Sequence, residues 1–505
     1  MTDTYDLIVL GGGPVGENIA DRAVQGGLTA VVVEAELVGG ECSYWACMPS
    51  KALLRPIRAL QAARDVAGSA EAVTGALGTA AVLERRDDFT SRWSDDGQVD
   101  WLRGAGIDLV RGHGRIAGER EVAVADESGE ETVLTARRAV AIATGSDAVI
   151  PPIAGLHEAN PWTSREATSA HEIPESLVVL GGGVVGVEMA TAFAGLGCRV
   201  VLIARSGLLG GFEPFAGEEV ARGLRAAGVD VRLRTETQEV ERTDDGVVVT
   251  VSGSGSGSDR GGDSSNGERR AETEIRAAEI LVAAGRAPRT GDIGLETIGI
   301  AAGGERGTSL ETDDTLRVAG VDWLYVVGDA NGRAPLTHQG KYQARAAGDA
   351  IVARARADQG DRADQQGARL DAAWVSTAAT ADHGAVPQVV FTDPEVASVG
   401  LTEAAARDAG HRVTAVDVEF SSVAGAALHA DGYRGRARIV VDDERRVLLG
   451  ATFVGPDVAE LVHAATVAVV GEVPISRLWH AVPAYPTLSE VWLRLLEKYG
   501  RGSAR

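Results

Sequence analysis

Cys42 and Cys47, near the amino terminus, are the residues whose type and spacing could support redox chemistry. They are separated by four residues and are two of the three cysteines in a chain of 505 residues. On an ideal α-helix this step leaves the Cα atoms about 8 to 9 Å apart, whereas a disulfide requires them within about 7 Å. A bridge would therefore distort the first helical turn, for which Gly39 and Gly40 supply backbone freedom. Such a strained bond is easily reduced and suits a catalytic dithiol; the alternative is two free cysteines buried on a helix.

The residues around the two cysteines extend this pattern as far as Lys51. The order is Gly-Gly-Glu-Cys, four further residues, Cys, one residue, and Pro-Ser-Lys. This run resembles the redox-active segment of the pyridine nucleotide-disulfide oxidoreductases, the flavoenzyme family of dihydrolipoamide dehydrogenase, glutathione reductase and mercuric reductase. The resemblance implies that Cys47 faces the flavin and can form a thiolate-flavin charge-transfer complex, and that Cys42 is the exchange thiol. It also implies that Lys51 lies near the flavin and that Gly40 belongs to the cofactor site.

Composition restricts the class of protein. A chain of 505 residues is too long for one hydrophobic core and predicts about three or four domains. Its net charge of -23 argues against nucleic acid and anionic membrane surfaces as partners. Three cysteines cannot form a disulfide framework for this size, and no stretch reaches the roughly 20 apolar residues that span a bilayer. We therefore expect a cytoplasmic protein, and no residue pattern predicts a metal site.

A dinucleotide-binding fold is predicted at the amino terminus. An apolar run over residues 7–10 predicts a buried parallel strand, which leads into a turn containing Gly11, Gly13 and Gly16. These glycines permit a tight turn and the close approach of a pyrophosphate, and the next helix directs its free N-H groups at the phosphates. The following strand ends at Glu34, 18 residues after Gly16, where a carboxylate can accept hydrogen bonds from ribose hydroxyls. We expect an adenine dinucleotide here; the alternative is an ordinary glycine-rich loop.

The same signature recurs 170 positions later in the chain. Residues 177–180 lead into a second turn, which contains Gly181, Gly183 and Gly186. Two folds of this kind imply two dinucleotides. In the family that the chain resembles, the first fold binds FAD and the second binds NADH or NADPH.

The second fold lacks the acidic residue of the first. Glu34 stands 18 positions after Gly16, whereas the residue 18 positions after Gly186 is Ala204, followed by Arg205. A carboxylate would repel the 2′-phosphate of NADPH and an arginine can pair with it, so the sequence favours NADPH. Relatives that resemble glutathione reductase usually have a second arginine downstream, but residues 207–211 contain none. The alternative is that Arg205 only faces solvent.

Further residues match positions of the nicotinamide site and of the connections between domains. Glu188 matches the family's glutamate near the nicotinamide, and burial of Glu188 and Lys51 would be costly unless they pair with each other. Gly145 lies in a threonine-glycine turn that resembles the point where the chain leaves the FAD domain. Gly285 lies in a Gly-Arg-x-Pro turn that resembles the end of the nicotinamide domain.

A second flavin segment is predicted in the middle of the chain. The strand over residues 323–327 ends in Gly-Asp, and by resemblance Asp329 accepts a hydrogen bond from a ribityl hydroxyl. The alternative for Asp329 is an ordinary turn residue. His338 begins the following helix and should lie under the isoalloxazine ring, unless it is a helix residue satisfied by its neighbours.

The predicted fold class is α/β, with two Rossmann-like dinucleotide-binding domains and a carboxy-terminal α+β dimerisation domain. We assign the FAD domain to residues 1–150 and 291–384, the NAD(P) domain to residues 151–290, and the dimerisation domain to residues 385–505. A Gly/Ser-rich insert near 252–270 cannot bury enough apolar area to offset its ordering entropy, so we expect a disordered extension of a hairpin turn. The resemblance implies a homodimer whose active site lies at the subunit interface.

The carboxy-terminal catalytic segment departs from the family pattern. Relatives have His-Pro-Thr-x-x-Glu, in which the histidine is the acid-base for the outer thiol and the glutamate orients it. Here Tyr485 stands in place of that histidine and Glu490 matches the glutamate, while His480 lies five residues earlier. A phenol, with a pKa near 10, transfers protons poorly at neutral pH compared with an imidazole near 6.5, so turnover with lipoamide or glutathione should be weak. Mercuric reductases need a carboxy-terminal cysteine pair, which this chain lacks.

These observations predict a homodimeric FAD enzyme that takes hydride from NADPH or NADH. The electrons would pass through FAD and the Cys42-Cys47 disulfide to a small-molecule acceptor, either a disulfide or another acceptor such as a quinone. One alternative is an ordinary dihydrolipoamide dehydrogenase in which Tyr485 or His480 is tolerated as the proton carrier. An alternative of another class is a redox-sensing flavoprotein whose dithiol state governs the binding of a partner.

Overall fold

The chain is described here by a computed structural model over residues 3–253, 272–301, 303–304, 307–358 and 369–500. Most of the Gly/Ser-rich insert predicted near 252–270 lies outside the described residues. The chain divides into two compact units. The first comprises Met1–Pro49, Asp87–Asp147 and Arg286–His383. The second comprises Ser50–Arg86, Ala148–Gly285 and Gly384–Arg505.

The strands are, in chain order, β1 (Thr4–Leu10), β2 (Ala30–Glu34), β3 (Asp108–Arg111), β4 (His113–Gly118), β5 (Glu121–Ala125), β6 (Glu131–Ile142), β7 (Ser146–Ala148), β8 (Ser176–Leu180), β9 (Arg199–Ala204), β10 (Asp230–Leu233), β11 (Thr235–Thr243), β12 (Gly246–Gly253), β13 (Glu272–Ala277), β14 (Glu279–Val282), β15 (Arg286–Pro288), β16 (Leu324–Val326), β17 (Pro387–Val390), β18 (Glu395–Gly400), β19 (Val413–Glu419), β20 (Arg436–Asp442) and β21 (Leu448–Gly455). The α-helices are α1 (Pro14–Gln25), α2 (Gly40–Tyr44), α3 (Cys47–Arg64), α4 (Thr79–Phe89), α5 (Asp96–Ala105), α6 (Ser164–Ser169), α7 (Val184–Gly195), α8 (Pro214–Ala226), α9 (Thr337–Asp358), α10 (Glu403–Asp408), α11 (Ala424–His429), α12 (Leu461–Val470), α13 (Ile475–Leu478) and α14 (Val491–Tyr499).

The first unit is built on a seven-stranded sheet. Its strand order is β3-β2-β1-β6-β5-β4, with β16 also paired to β6. Strands β1, β2, β3, β6 and β16 pair in parallel, and β4 and β5 complete the sheet as antiparallel strands. Leu7 and Val9 pack against α1 on one face, and Ile8 and Leu10 pack into a second apolar cluster on the other. The continuous apolar run of β1 is explained by burial on both faces.

The second unit contains another parallel sheet, in the order β10-β9-β8-β14. Leu177 and Val179 pack against α7, and Val178 and Leu180 pack against an antiparallel three-stranded sheet formed by β11, β12 and β13. Strands β12 and β13 pair in antiparallel fashion, and the first two residues of the predicted insert, 252 and 253, are the last residues of β12. The two parallel sheets, each following a glycine-rich turn, agree with the predicted pair of dinucleotide-binding folds.

The remaining part of the second unit is an antiparallel sheet covered by helices. Its strand order is β17-β18-β21-β20-β19. Helices α12 and α14 contribute apolar residues to the core that this sheet forms, which gives the predicted α+β arrangement. One assignment differs from the predicted boundaries, because residues 50–86 cluster with the second unit rather than with the amino-terminal fold. This segment includes most of α3, which begins in one unit and continues into the other.

Candidate active site

A break between two helices separates Cys42 from Cys47. Helix α2 ends at Tyr44; the next residue, Trp45, has non-helical φ and ψ values of -135° and -1°, and α3 begins at Cys47. Gly39 and Gly40 enter α2 with positive φ values of 109° and 53°. The helix is therefore interrupted at Trp45 and is preceded by two glycines in the left-handed region. The sequence analysis expects a distortion for a bridged pair, whereas here the interruption is present without a bridge.

No disulfide joins Cys42 to Cys47. The sequence predicts a disulfide between them; because no bond joins the sulfurs, the structure corresponds to the reduced pair, and the bridge remains a prediction. The two side chains are hydrogen-bonded to each other, and this bond together with burial raises the pKa of the Cys42 thiol. The contact with Cys47 and burial therefore both favour the protonated form of Cys42.

Thr337, which the sequence analysis did not select, lies beside the thiols. It is the first residue of α9, and its Oγ1 is 3.3 Å from the Sγ of Cys47. His338, which was selected for the flavin site, is the next residue and is exposed. A threonine at the first position of a helix is an ordinary terminal residue, so its contact with a cysteine 290 positions earlier has no local sequence signal.

The first glycine turn has the space that a dinucleotide diphosphate requires. Gly11 has a φ of 102°, and a Cβ added to it would lie 2.5 Å from the carbonyl oxygen of Ala143. A Cβ added to Gly16 would lie 1.9 Å from the carbonyl oxygen of Gly11. Gly13 is the N-cap of α1 and provides no side-chain cap, so the first N-H groups of the helix are available to a phosphate. Gly40 also approaches this turn, since its Cβ would lie 2.9 Å from the Cα of Gly13. These residues fit the diphosphate of FAD.

Glu34 lies at the end of β2, next to the same turn. Its Oε2 accepts a hydrogen bond from the N-H of Gly12 at 2.6 Å, and its Oε1 accepts one from the N-H of Glu36 at 2.7 Å. These two bonds fix the carboxylate at the carboxyl edge of the sheet. The contact of Glu34 with a ribose remains a prediction.

Gly145 and Asp329, distant in sequence, meet in the first unit. Ser146 follows Gly145 and donates a hydrogen bond from its Oγ to Oδ2 of Asp329 at 2.6 Å. The Nε of Arg286 donates to the same Ser146 Oγ at 2.8 Å. Asp329 lies in a short 3₁₀ helix directly after β16, which pairs with β6 and so reaches the same edge as the turn at Gly145. The sequence analysis did not identify Ser146 or Arg286 as parts of this arrangement.

The second glycine turn repeats the geometry of the first. Gly181 has a φ of 125°, and a Cβ added to it would lie 2.2 Å from the carbonyl oxygen of Ala283. A Cβ added to Gly186 would lie 2.1 Å from the carbonyl oxygen of Gly181. Gly183 is the N-cap of α7 and, like its counterpart at α1, provides no side-chain cap. Gly285 has a φ of 133°, with no atom within 4 Å of the position of an added Cβ. The turn therefore also fits a dinucleotide diphosphate.

Ala204 occupies the position in the second fold that Glu34 occupies in the first. A Cβ on Gly12 would lie 3.1 Å from the Cβ of Glu34, and a Cβ on Gly182 would lie 3.0 Å from the Cβ of Ala204. The residue 18 positions after the last glycine of each turn therefore occupies the same place relative to that turn in both folds. Arg205 follows at the end of β9 and is exposed.

Lys51 and Glu188 form an ion pair in the second unit. The Nζ of Lys51 lies 2.6 Å from Oε2 of Glu188, whose Oε1 accepts a hydrogen bond from the N-H of Phe391 at 3.0 Å. The ammonium also lies 5.0 Å from the centre of the Phe391 ring, which is close enough for a cation-π interaction. The buried glutamate therefore has partners for both oxygens, as the sequence analysis requires for a tolerable cost of burial.

Tyr485 and Glu490 lie close in sequence but have different environments. Tyr485 is 77% exposed, whereas Glu490 is buried. The Oε1 of Glu490 accepts hydrogen bonds from the N-H groups of Thr487 and Gly425, both at 3.1 Å, and so holds a turn of backbone in place. His480 is also exposed. The proton-carrying roles considered for Tyr485 and His480 remain predictions.

Comparison with family models assigns the chain to a class. A model described as pyridine nucleotide-disulphide oxidoreductase matches residues 5–347, and the dimerisation domain of the same class matches residues 386–495. The chain therefore belongs to the pyridine nucleotide-disulphide oxidoreductase family. Membership implies FAD and NADH or NADPH as cofactors, and the dimerisation domain supports a homodimer. The protein is a flavoprotein disulfide oxidoreductase, as the sequence predicts.

The chain is similar to individual members of this family over nearly its whole length. The chain is 32% identical over 507 residues to a dihydrolipoyl dehydrogenase of Haloferax volcanii, with 97% of this chain and 95% of the relative covered. It is 30% identical over 497 residues to the dihydrolipoyl dehydrogenase of Bacillus subtilis, with 97% and 96% covered. The fold resembles that of HOCl-induced flavoprotein disulfide reductase RclA from Escherichia coli in its Cu(II) complex, with a TM-score of 0.77, 22% identity, and 98% and 99% of the two chains covered. Within the described ranges, every helix is too short or too polar to traverse a bilayer.

Proposed function

We propose that this enzyme uses NADPH to reduce a disulfide or another small acceptor, such as a quinone, through Cys42 and Cys47, with poor turnover of lipoamide. The observation that supports the proposal most directly is the contact between the two thiols across the helix break, beside the first glycine turn. The few cysteines of the chain also favour a reducing compartment such as the cytoplasm.

The residues of the chain have separate tasks in this proposal. The first glycine turn and Glu34 hold FAD, which when bound supplies two-electron chemistry between a nicotinamide and sulfur. Cys42, the exchange thiol, gives its proton to the leaving sulfur of an acceptor disulfide as its own sulfur forms a mixed disulfide. The Cys47 sulfur then displaces the second acceptor thiol and closes the Cys42-Cys47 bridge. In total, one NADPH and one proton convert one acceptor disulfide to two thiols.

Tyr485 is the reason to expect poor turnover of lipoamide. Exchange with a dithiol substrate requires a group that accepts and returns a proton near neutral pH, and loss of such a group commonly costs about a hundredfold to ten-thousandfold in rate. Phenols ionise near pH 10 and imidazoles near 6.5. An acceptor that requires less proton transfer at sulfur, such as a quinone, would be less affected by this replacement.

The preference for NADPH follows from the second fold. With Ala204 at the position of the ribose-binding acid, no carboxylate opposes a 2′-phosphate there, and Arg205 is exposed next to it. A phosphate and a guanidinium form strong charge-assisted hydrogen bonds. We further propose that each active site of the homodimer is completed by the partner's carboxy-terminal segment.

The second candidate is dihydrolipoamide dehydrogenase activity. It is favoured by the two relatives that are 30% and 32% identical over nearly the whole chain, since both are dihydrolipoyl dehydrogenases. In that case Tyr485 or His480 would serve as the proton carrier, and lipoamide would be turned over steadily.

Thiol counting and an acceptor panel test the two candidates. After anaerobic reduction with one equivalent of NADPH, two thiols per subunit should become reactive to an alkylating reagent, and peptide mass spectrometry should locate both at Cys42 and Cys47. Quinone and aromatic disulfide acceptors should then oxidise the pair much faster than lipoamide does. Full activity of Cys42→Ser and Cys47→Ser with every acceptor would disprove the dithiol role, and rapid lipoamide turnover would favour the second candidate.

A further inference from the structure

Arg234 and Arg205 end neighbouring strands of the parallel sheet in the second unit. Strands β9 and β10 pair in parallel with Leu233 opposite Ala204, so the residues that follow them are Arg234 and Arg205. The N-H of Arg234 donates a hydrogen bond to the carbonyl oxygen of Ser206 at 3.4 Å, which joins the two strand ends. The sheet thereby places a second arginine next to the first, although residues 207–211 contain none.

We propose that Arg205 and Arg234 together bind the 2′-phosphate of NADPH, and that Arg234 is a second determinant of coenzyme preference. The inference rests on the proposed function, in which the second fold binds NADPH. Ser206, between the two strand ends, is exposed, and its hydroxyl donates a long hydrogen bond of 3.4 Å to the carbonyl oxygen of Gly207. A phosphate oxygen can replace that carbonyl as the acceptor.

The charges of the two arginines are available to a ligand. Both residues are exposed, and in the described part of the chain neither guanidinium pairs with a carboxylate. Arg232, two residues before Arg234, differs in this respect, because its guanidinium lies 2.9 Å from Oδ2 of Asp230. Two unneutralised guanidinium groups at one edge of the sheet form a site for a doubly charged anion.

The backbone of Arg234 gives an independent reason to assign it a role. Its φ of 52° lies in the left-handed region, which a non-glycine residue adopts only at a cost. A glycine would adopt this conformation without strain, so the backbone alone does not explain an arginine at this position. A side chain kept at a strained position is consistent with a requirement for its charge.

The test compares two fragments of the coenzyme that differ only in the 2′-phosphate. Adenosine 2′,5′-bisphosphate and adenosine 5′-monophosphate are titrated into the flavin-loaded dimer by isothermal calorimetry, which requires no turnover. We expect the bisphosphate to bind at least about tenfold more tightly, because it forms charge-assisted hydrogen bonds that the monophosphate lacks. Arg205→Ala and Arg234→Ala should each reduce this ratio about tenfold and leave binding of the monophosphate unchanged.

Two further variants separate the phosphate contact from other effects. Arg234→Gly retains the left-handed backbone without strain and should lose the preference as fully as Arg234→Ala does. Arg199→Ala removes an exposed arginine from the opposite end of β9 and should leave the ratio unchanged. The ratio of kcat/KM for NADPH to that for NADH should follow the binding ratio across all variants.

The outcomes distinguish failure of the role of Arg234 from failure of the proposed preference for NADPH. If the unmodified protein does not discriminate between the two fragments, the NADPH preference and the role of Arg234 both fail. If Arg205→Ala lowers the ratio while Arg234→Ala and Arg234→Gly do not, only the role of Arg234 fails. If Arg199→Ala lowers the binding ratio as much as Arg234→Ala does, the effect is due to long-range charge, and the role of Arg234 also fails.

Discussion

Tyr485 is the residue at which the sequence pattern expected of the family is most clearly broken. Its side chain is 77% exposed, in the dimerisation domain and in the segment for which the sequence analysis predicts an acid-base role. Glu490, five residues later, is already hydrogen-bonded to two backbone N-H groups. The supporting turn is therefore stable without a histidine, and a histidine could be introduced at position 485 without disturbing a packed core.

Tyr485→His should increase turnover with lipoamide by about a hundredfold or more, because a positioned imidazole contributes a factor of this order. The pH dependence of kcat/KM for lipoamide should gain an ascending limb near pH 6.5, the ordinary pKa of histidine. Reduction of the enzyme by NADPH should be unchanged in rate. Both quantities are measured by steady-state and stopped-flow kinetics.

Tyr485→Phe provides the matched comparison, since it removes only the phenolic hydroxyl. We expect it to leave the low lipoamide activity of the unmodified enzyme as it is. Abolition of that activity by Tyr485→Phe, or by His480→Ala, would instead identify the altered residue as a functional proton carrier.

At the scale of helices and strands, the elements around the glycine turns were predictable because their signals are local. The apolar run of β1, the glycines that follow it and the acid at the end of β2 lie within 28 residues of one another and have a known spacing. The second fold was recognised from the same order of residues. Its Ala204 lies where counting from Gly186 places it.

Other parts of the site depend on contacts between distant segments and could not be inferred from spacing. Thr337 reaches Cys47 only because α9 begins beside the cysteine segment. Arg234 becomes the neighbour of Arg205 through the parallel register of β9 and β10, which are joined by a helical connection. The break at Trp45 was expected only as a distortion, since the sequence indicated the strain of a bridge and not the residue that absorbs it.

Helix α1 contains a titratable group whose environment makes stability depend on pH. Glu17 lies in its first turn, and its Oε1 is buried without a hydrogen-bond partner among the described residues. Burial raises the pKa of Glu17 from 4.5 to about 7, the charge of Glu34 adds to the rise, and Lys341 opposes it. Because the folded state favours the protonated form, stability is greatest below pH 4.5 and falls as the pH rises toward 7.

Glu17→Gln should remove this pH dependence. Above pH 7 the flavin-free variant should exceed the flavin-free parent in free energy of unfolding by up to about 3 kcal/mol, given about 1.4 kcal/mol per pKa unit. The difference should vanish below pH 4.5, where the carboxyl of the parent becomes protonated in the unfolded state as well as in the folded state. Urea unfolding at pH 5.5 and pH 8 measures it. Glu218→Gln, which changes an exposed glutamate of α8, is the control and should give the same small difference at both pH values.

At the scale of the whole molecule, the dimerisation domain exposes apolar side chains that an isolated subunit would leave in water. Val467 on α12 is 55% exposed, and Val482 and Leu428 are 84% and 70% exposed. Burial of a valine side chain contributes about 1.5 kcal/mol, whereas burial of an unpaired carboxylate costs several kcal/mol. Charges introduced at these positions should therefore oppose association of two subunits.

The double variant Val467→Asp, Val482→Asp should be a monomer of 52.3 kDa where the unmodified protein is a dimer of twice that mass. Sedimentation equilibrium measures the mass directly. Val133→Asp, at a valine 50% exposed on β6 of the first unit, adds the same kind of charge outside this domain and should remain dimeric.

Activity of the monomer then tests whether the two subunits share an active site. Both glycine turns and both cysteines belong to one chain, so the monomer should still be reduced by NADPH at a rate close to that of the dimer. Acceptor turnover should be lost, since the carboxy-terminal segment that contains Tyr485 is expected to act on the partner's dithiol. A monomer with full acceptor turnover would show that each subunit is complete by itself. A double variant that remains dimeric would show that the subunits associate through another surface.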